Sequence, residues 1–186
     1  MKISVLGMDP SLSNWGMASA TLDLETGFLT DVKVGVEQTS PDKAKQVRQN
    51  SADLVRTEAL SRAVLFAADS AKVSFVEVPV GSKSARAMMS YGACLGILGV
   101  MRAQGHQIIE VNPTDVKKIF TGNKTATKEL MINTAIALYP DAGWPTHQGK
   151  ITKSKCEHMA DAIAAIHAGA RTPEFTQLRR LLSSVS

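Results

Sequence analysis

The chain has 186 residues, enough for one domain with a full core and short for two, so a single domain over 1–186 is expected, with 170–186 as a C-terminal helix and tail. A composition of 44% hydrophobic and 20% charged residues excludes a disordered or fibrous chain. Two cysteines, Cys94 and Cys156, exclude a disulfide scaffold and fit a reducing cytoplasm; the first apolar run, broken at Asp9, is too short for a signal peptide. The most membrane-like window, 87–101 between Arg86 and Arg102, falls short of the ~20 residues a span needs and reads as a core helix. Net charge is +4, but its placement is uneven. From Lys117 to Lys155, seven lysines face only Glu129 and Asp141, giving that segment +5 and the rest −1. Such segregation marks either a surface for polyanions or a solvated lysine face.

Taken in order, Ile3, Val5 and Leu6 form a short β-branched run ending at Asp9, where Pro10, Ser11 and Ser13 impose a turn. Residues 16–24 alternate as a strand, Glu25-Thr26-Gly27 is a hairpin turn, and 28–37 alternate again through Leu29, Val32, Val34 and Val36. Three strands with short connections predict an antiparallel meander. Ser40-Pro41-Asp42 offers a helix start, and Val47, Leu54, Val55, Leu60 and Val64 predict an amphipathic helix over 43–70. Val73 to Val78 reads as a buried strand carrying Glu77 near its end.

Residues 85–104 read as a helix in which Gly92, Gly96 and Gly99 lie near one side. Each glycine costs roughly 1 kcal/mol against alanine in a helix interior, so the three call for close packing or a dimer seam. Residues 107–111 read as a strand, Pro113 opens a short helix, and 127–138 is another. Residues 139–154, with Pro140, Gly143, Pro145 and Gly149, predict a long loop; 155–168 is helical, and a short basic helix follows Pro173. The order β-β-β-α-β-α-β-α-α-α predicts an α/β fold: a mixed five-stranded sheet, antiparallel meander plus parallel strands, flanked by helices.

Acids come within reach of one point from three places. Asp9 ends the first strand. Glu77 lies at the carboxyl end of a strand entering from a βα unit, where such sheets place their sites. His158 and Asp161, three apart, share a helical face. Oxygen-rich ligation with one imidazole suits Mg²⁺ or Mn²⁺ better than zinc. Two such ions about 3.5–4 Å apart activate water and stabilise a leaving oxygen in phosphodiester hydrolysis. Each residue also has a bland role: Asp9 capping its own turn, Glu77 pairing with Lys83, His158 at the surface, Asp161 pairing with Lys155. A zinc site from Cys156, His158 and His167 fits no finger spacing and is discounted.

The blocks GMDPSLSNWG, FVEVP, VNPTDVKKIFTGNKTATK and EHMADAIA, in this order, resemble the RuvC-type Holliday-junction resolvases, a family of RNase H-like fold. The resemblance runs from Ile3 to about His167, with the close matching confined to those blocks. It implies that Asp9, Glu77, His158 and Asp161 are the catalytic, metal-binding set for two Mg²⁺ or Mn²⁺ ions. It further implies that Lys117 and Lys128 are active-site lysines holding the scissile phosphate, with Lys83 and Lys124 as lesser contacts to the DNA backbone. A homodimer cutting opposed strands is implied too, with 85–104 similar in position to the dimer helix of the family, and a cytoplasmic, DNA-associated role in recombination and repair in a bacterial or phage-infected cell. The expected activity is structure-selective cleavage of Holliday junctions and other branched DNA. The alternative is a branched-DNA binder that keeps the fold without catalysis. Three features depart from the family: Val80 replaces an aromatic residue that stacks on a base, 43–70 is long, and 139–154 is unusual. They leave room for a relaxed enzyme acting on forks and flaps as well. An actin-like phosphotransferase, which shares the opening pattern, needs two lobes and more chain than this.

Overall fold

The computed structural model describes residues 1–42 and 48–184. Strands β1 (Lys2–Asp9), β2 (Asn14–Asp23) and β3 (Leu29–Gln38) form the meander, followed by α1 (Gln49–Asp69), β4 (Val73–Glu77), α2 (Ala85–Ala103) and β5 (Ile108–Val111). Then come α3 (Pro113–Thr121), α4 (Lys128–Leu138), a hairpin of β6 (Thr146–His147) and β7 (Lys150–Ile151), a 3-10 turn Lys153–Lys155, α5 (Glu157–Gly169) and α6 (Pro173–Ser184). The main sheet runs β3-β2-β1-β4-β5, with β1 antiparallel to β2 and parallel to β4. The expected fold class, a mixed five-stranded sheet between helices, is the one observed.

Alternation along the strands sorts their side chains into two cores. Ile3, Val5, Val73, Phe75, Ile109 and Val111 point to one face, covered by α3, α4, α5 and α6; Leu6, Met8, Val76 and Ile108 point to the other, covered by α1 and α2. The result is three layers with β1 at the centre. The β3 pattern contains a phase break, Leu29 and Val32 being three apart. A bulge absorbs it: Ser19 and Thr21 face Lys33 and Thr30, and the extra β3 length includes Asp31 in a left-handed conformation (φ 55°).

Four expectations need correction. Helix α1 begins at Gln49, after an extended Arg48, and the start expected at Lys43, with Val47, lies outside the described residues. Leu54 and Val55 are 69% and 66% exposed, while Asp53 and Arg56 are buried in their stead. Polar burial is possible because the two pair at 3.0 Å and Arg86 on α2 also holds Asp53 (Nη2 to Oδ1, 2.8 Å). The loop expected over 139–154 contains the β6–β7 hairpin and the 3-10 turn. Helix α2 is a core helix on one side only: Cys94, Ile97, Leu98 and Met101 are buried, whereas Met88, Met89, Leu95 and Val100 are exposed. Among the described residues, nothing lies within 4 Å of where a Cβ on Gly92, Gly96 or Gly99 would stand, so close packing between these residues does not explain them.

The close approaches occur elsewhere. A Cβ on Gly7 would sit 2.0 Å from the Ala162 carbonyl oxygen, one on Gly16 2.1 Å from that of His158, and one on Gly169 1.9 Å from the Phe75 ring. These glycines let α5 lie directly on the sheet. Substituting Gly7→Ala is expected to lower stability by about 3 kcal/mol or prevent folding, because the obstacle is backbone on a buried helix. Thermal unfolding checks this; an unchanged melting temperature contradicts the close approach.

Candidate active site

The site is built where β1 and β4 end side by side. Their parallel register pairs Met8 with Val76, which places Asp9 and Glu77, the next residue of each, on neighbouring strand ends. Ile3, Val5, Val73 and Phe75 face α5, and by alternation so do Asp9 and Glu77. The turn after Asp9 is fixed from below: Arg56 donates to Ser13 Oγ (2.8 Å), Thr39 Oγ1 (3.0 Å) and the Leu12 carbonyl (3.3 Å). Asp53, held by Arg86, Gln49 and Arg56 well below the usual carboxylate range at about 2, keeps that guanidinium oriented.

Helix α5 brings the other two residues. The helix is enclosed on all sides along its middle, Ala160, Ala162, Ile163, Ala164, Ala165 and Ile166 all being fully buried between the sheet and α3 and α4. Small side chains and the Gly7 and Gly16 contacts seat its first turns over the end of β1. His158 Nδ1 lies 2.6 Å from Asp9 Oδ2. That hydrogen bond, opposed by burial and helped by the nearby acids, raises the His158 pKa. One turn along, burial and then the charges of Asp9, Glu77 and Glu157 push Asp161 up to about 7. Burial, aided by Asp9 and offset in part by the Lys117 ammonium, likewise pushes Glu77 up to about 7. Asp9, Glu77, His158 and Asp161, far apart in sequence, therefore share one electrostatic site.

Two of the four sequence-expected lysines stand at this site. Lys117 on α3 acts on Glu77, the role that the sequence suggests for Lys83. Lys128, the first residue of α4 after the Thr127 cap, pairs with Glu157 Oε1 at 2.6 Å and feels Asp161 and Asp9 as well. Lys83 and Lys124 are exposed on connecting segments, and neither forms an ion pair among the described residues. Sequence reasoning misses Glu157, which adds a carboxylate to the rim; its place next to His158 on the first turn of α5 is the available signal. The discounted zinc set does not converge: Cys156 is buried with Sγ donating to the Thr152 carbonyl, and His167 is bonded to Tyr139 Oη at 2.7 Å, near the other end of α5.

Three mutually repelling carboxylates with an imidazole match the donor chemistry of a hard divalent cation. Among the described residues, no three His, Cys, Asp or Glu side chains already converge in ligating geometry. Asp9 Oδ2 is instead engaged by His158.

Neither a protein-family profile nor a curated protein matches the sequence. Among solved structures, the chain is similar to Thermus thermophilus RuvC, with a TM-score of 0.61 and 20% identity over 91% of this chain and 92% of that one. It is similar to T. thermophilus RuvC in complex with Holliday junction substrate, with a TM-score of 0.60 and 20% identity over 90% and 92% of the two chains. The fowlpox virus resolvase in complex with substrate Holliday junction DNA gives 0.52 and 15% over 97% and 99%. These likenesses establish the fold, which is the RNase H-like fold of RuvC.

The raised pKa values set a pH dependence for the metal-free protein. Below about pH 4 both acids are protonated whether the chain is folded or not, and they carry no penalty. Between there and pH 7 the unfolded chain sheds protons that the folded chain retains, so stability falls as pH rises; above 7 the full repulsion is felt. Asp161→Asn is expected to be more stable than the wild type by roughly 2 kcal/mol at pH 8, an advantage vanishing toward pH 4. Thermal melts in chelator across that range measure it, and a pH-independent difference contradicts it.

Proposed function

We propose that this chain is a divalent-metal-dependent endonuclease that hydrolyses phosphodiester bonds in Holliday junctions and other branched DNA. The observation that carries the reading is the meeting of Asp9, Glu77, Asp161 and His158 at the carboxyl ends of two central parallel strands. The same fold is seen in RuvC and in a viral resolvase, and their solved complexes hold Holliday junction substrates.

In this mechanism Asp9, Glu77, Asp161 and His158 would hold two Mg²⁺ or Mn²⁺ ions, which would supply an activated water and charge stabilisation at the leaving oxygen. Lys117 and Lys128 orient the scissile phosphate from α3 and α4. Lys128 leaves Glu157 for the phosphate, exchanging an exposed ion pair of little net worth for a stronger, charge-assisted contact. His158, hydrogen-bonded to Asp9 in the metal-free protein, would serve as a ligand in its neutral form, giving up the proton that Asp9 favours. Lys83 and Lys124 extend the backbone contacts on either side. Val80 is 84% exposed on the loop after Glu77 and offers a base no stacking face, which supports a relaxed choice among junctions, forks and flaps.

A four-way junction has two strands to cut, and the reading includes a homodimer. Its support is the exposed stripe of α2, where Gly92, Leu95, Gly96 and Gly99 recur at helical spacing and, among the described residues, nothing lies within 4 Å of where a Cβ on the three glycines would stand. Gly96→Leu is expected to convert dimer to monomer in sedimentation while leaving the monomer folded, since open space surrounds that position; a dimer unaffected by it removes α2 from the interface.

Wild type with Mg²⁺ is expected to cut a synthetic four-way junction, and Asp9→Asn to bind the junction but cut it more than about 100-fold more slowly, beyond the loss usual for partners of metal ligands. Junction binding with no cleavage under any divalent metal identifies the non-catalytic binder instead.

A further inference from the structure

Outside this site, the strongest unexplained feature is the β6–β7 hairpin with the turn that follows it. Residues 146–155 carry Lys150, Lys153 and Lys155 and no acid. All three are exposed. Lys153 donates to the neutral Asn133 of α4 (2.7 Å), and neither Lys150 nor Lys155 is held by an acid among the described residues.

The hairpin is rigidly mounted. Trp144, just before it, is buried and donates its indole N–H to the Tyr139 carbonyl (2.8 Å); the Thr152 amide closes back onto the Pro145 carbonyl (2.8 Å); Cys156 is buried behind it. The turn has Gln148 and Gly149 both at positive φ (49° and 75°), the two-residue geometry that matches strand twist. Register then decides which way the side chains go. Thr146 faces Ile151, which packs on the core, so the opposed pair His147 and Lys150 points away from it, into solvent. From Lys155 the chain runs through Cys156 directly into Glu157 and His158, so the basic surface borders the acidic site along the backbone itself.

We propose that this hairpin is a second nucleic-acid contact, in which Lys150, Lys153 and Lys155 grip the phosphodiester backbone of the DNA arm that leaves the cleavage site. The proposal rests on the nuclease reading and names a surface that this reading does not require. Exposed lysines on a stiff support with no acid among them are complementary in charge to a polyanion. Lysines on phosphates position a substrate without reading its sequence, so the contact is to backbone of any sequence.

The test uses full-length Asp9→Asn protein, with and without Lys150→Ala and Lys155→Ala together, binding a four-way junction across a salt series. Removing one lysine–phosphate pairing flattens the slope of log affinity against log salt by about 0.9, so the double substitution is expected to flatten it by nearly 2 and to weaken binding about tenfold or more at low salt. The weakening is expected on junctions of unrelated sequence alike, with unchanged thermal unfolding. An unaltered salt slope while the parent protein binds and wild type cuts overturns the hairpin contact alone. A parent that binds no branched DNA overturns the nuclease reading and the hairpin contact with it.

Discussion

Everything at the candidate site depends on how closely α5 lies on the sheet. Three glycines set that distance. Gly7 on β1 admits the Ala162 carbonyl, Gly16 on β2 admits that of His158, and Gly169 on the helix itself admits the Phe75 ring. A methyl group at any of them lifts the helix or tilts it. His158 would then be drawn away from Asp9, breaking their 2.6 Å hydrogen bond, and Asp161 would leave the field of Glu77. The alanine-rich inner face of α5 serves the same end, since small side chains allow close layers with little entropy lost on burial.

That closeness has an electrostatic consequence. Burial, and then the neighbouring charges, push Glu77 and Asp161 up to about 7. The fold tolerates this because stability is supplied elsewhere: two apolar cores on either side of the sheet, and the buried Asp53–Arg56–Arg86 node beneath the turn that follows Asp9. In that node each charge is met by an opposite charge or hydrogen bonds. At the site, like charges face one another. The contrast is what separates a structural cluster from a site under strain, and it is legible in the direction of the shifts: Asp53 is driven down, Glu77 and Asp161 up.

Much of this is readable from sequence. Period-two alternation locates the strands and sets Asp9 at the end of one and Glu77 near the end of another, while the register that makes them neighbours is seen only in the structure. The spacing of His158 and Asp161 puts them on one helix face. Other features are not readable, for identifiable reasons. Burial of Asp53 and Arg56 in place of Leu54 and Val55 depends on Ser13, Thr39 and Arg86, partners that no local window contains. The β6–β7 strands have two residues each, too few to show a period. Glycines look alike in a sequence: those in α2, which stand out by their spacing, meet nothing among the described residues, while Gly7 and Gly16, at the two ends of the opening block GMDPSLSNWG, carry the helix contact.

The bond between Asp9 and His158 joins residues 149 apart. The meander can pair as soon as its own forty or so residues exist, since its contacts are local, whereas the helix that completes the cluster is synthesised after every strand of the main sheet. During translation the first strand therefore presents its aspartate alone, with neither glutamate nor imidazole beside it. A half-made polypeptide thus lacks the acidic cluster, which forms only when α5 settles onto the sheet.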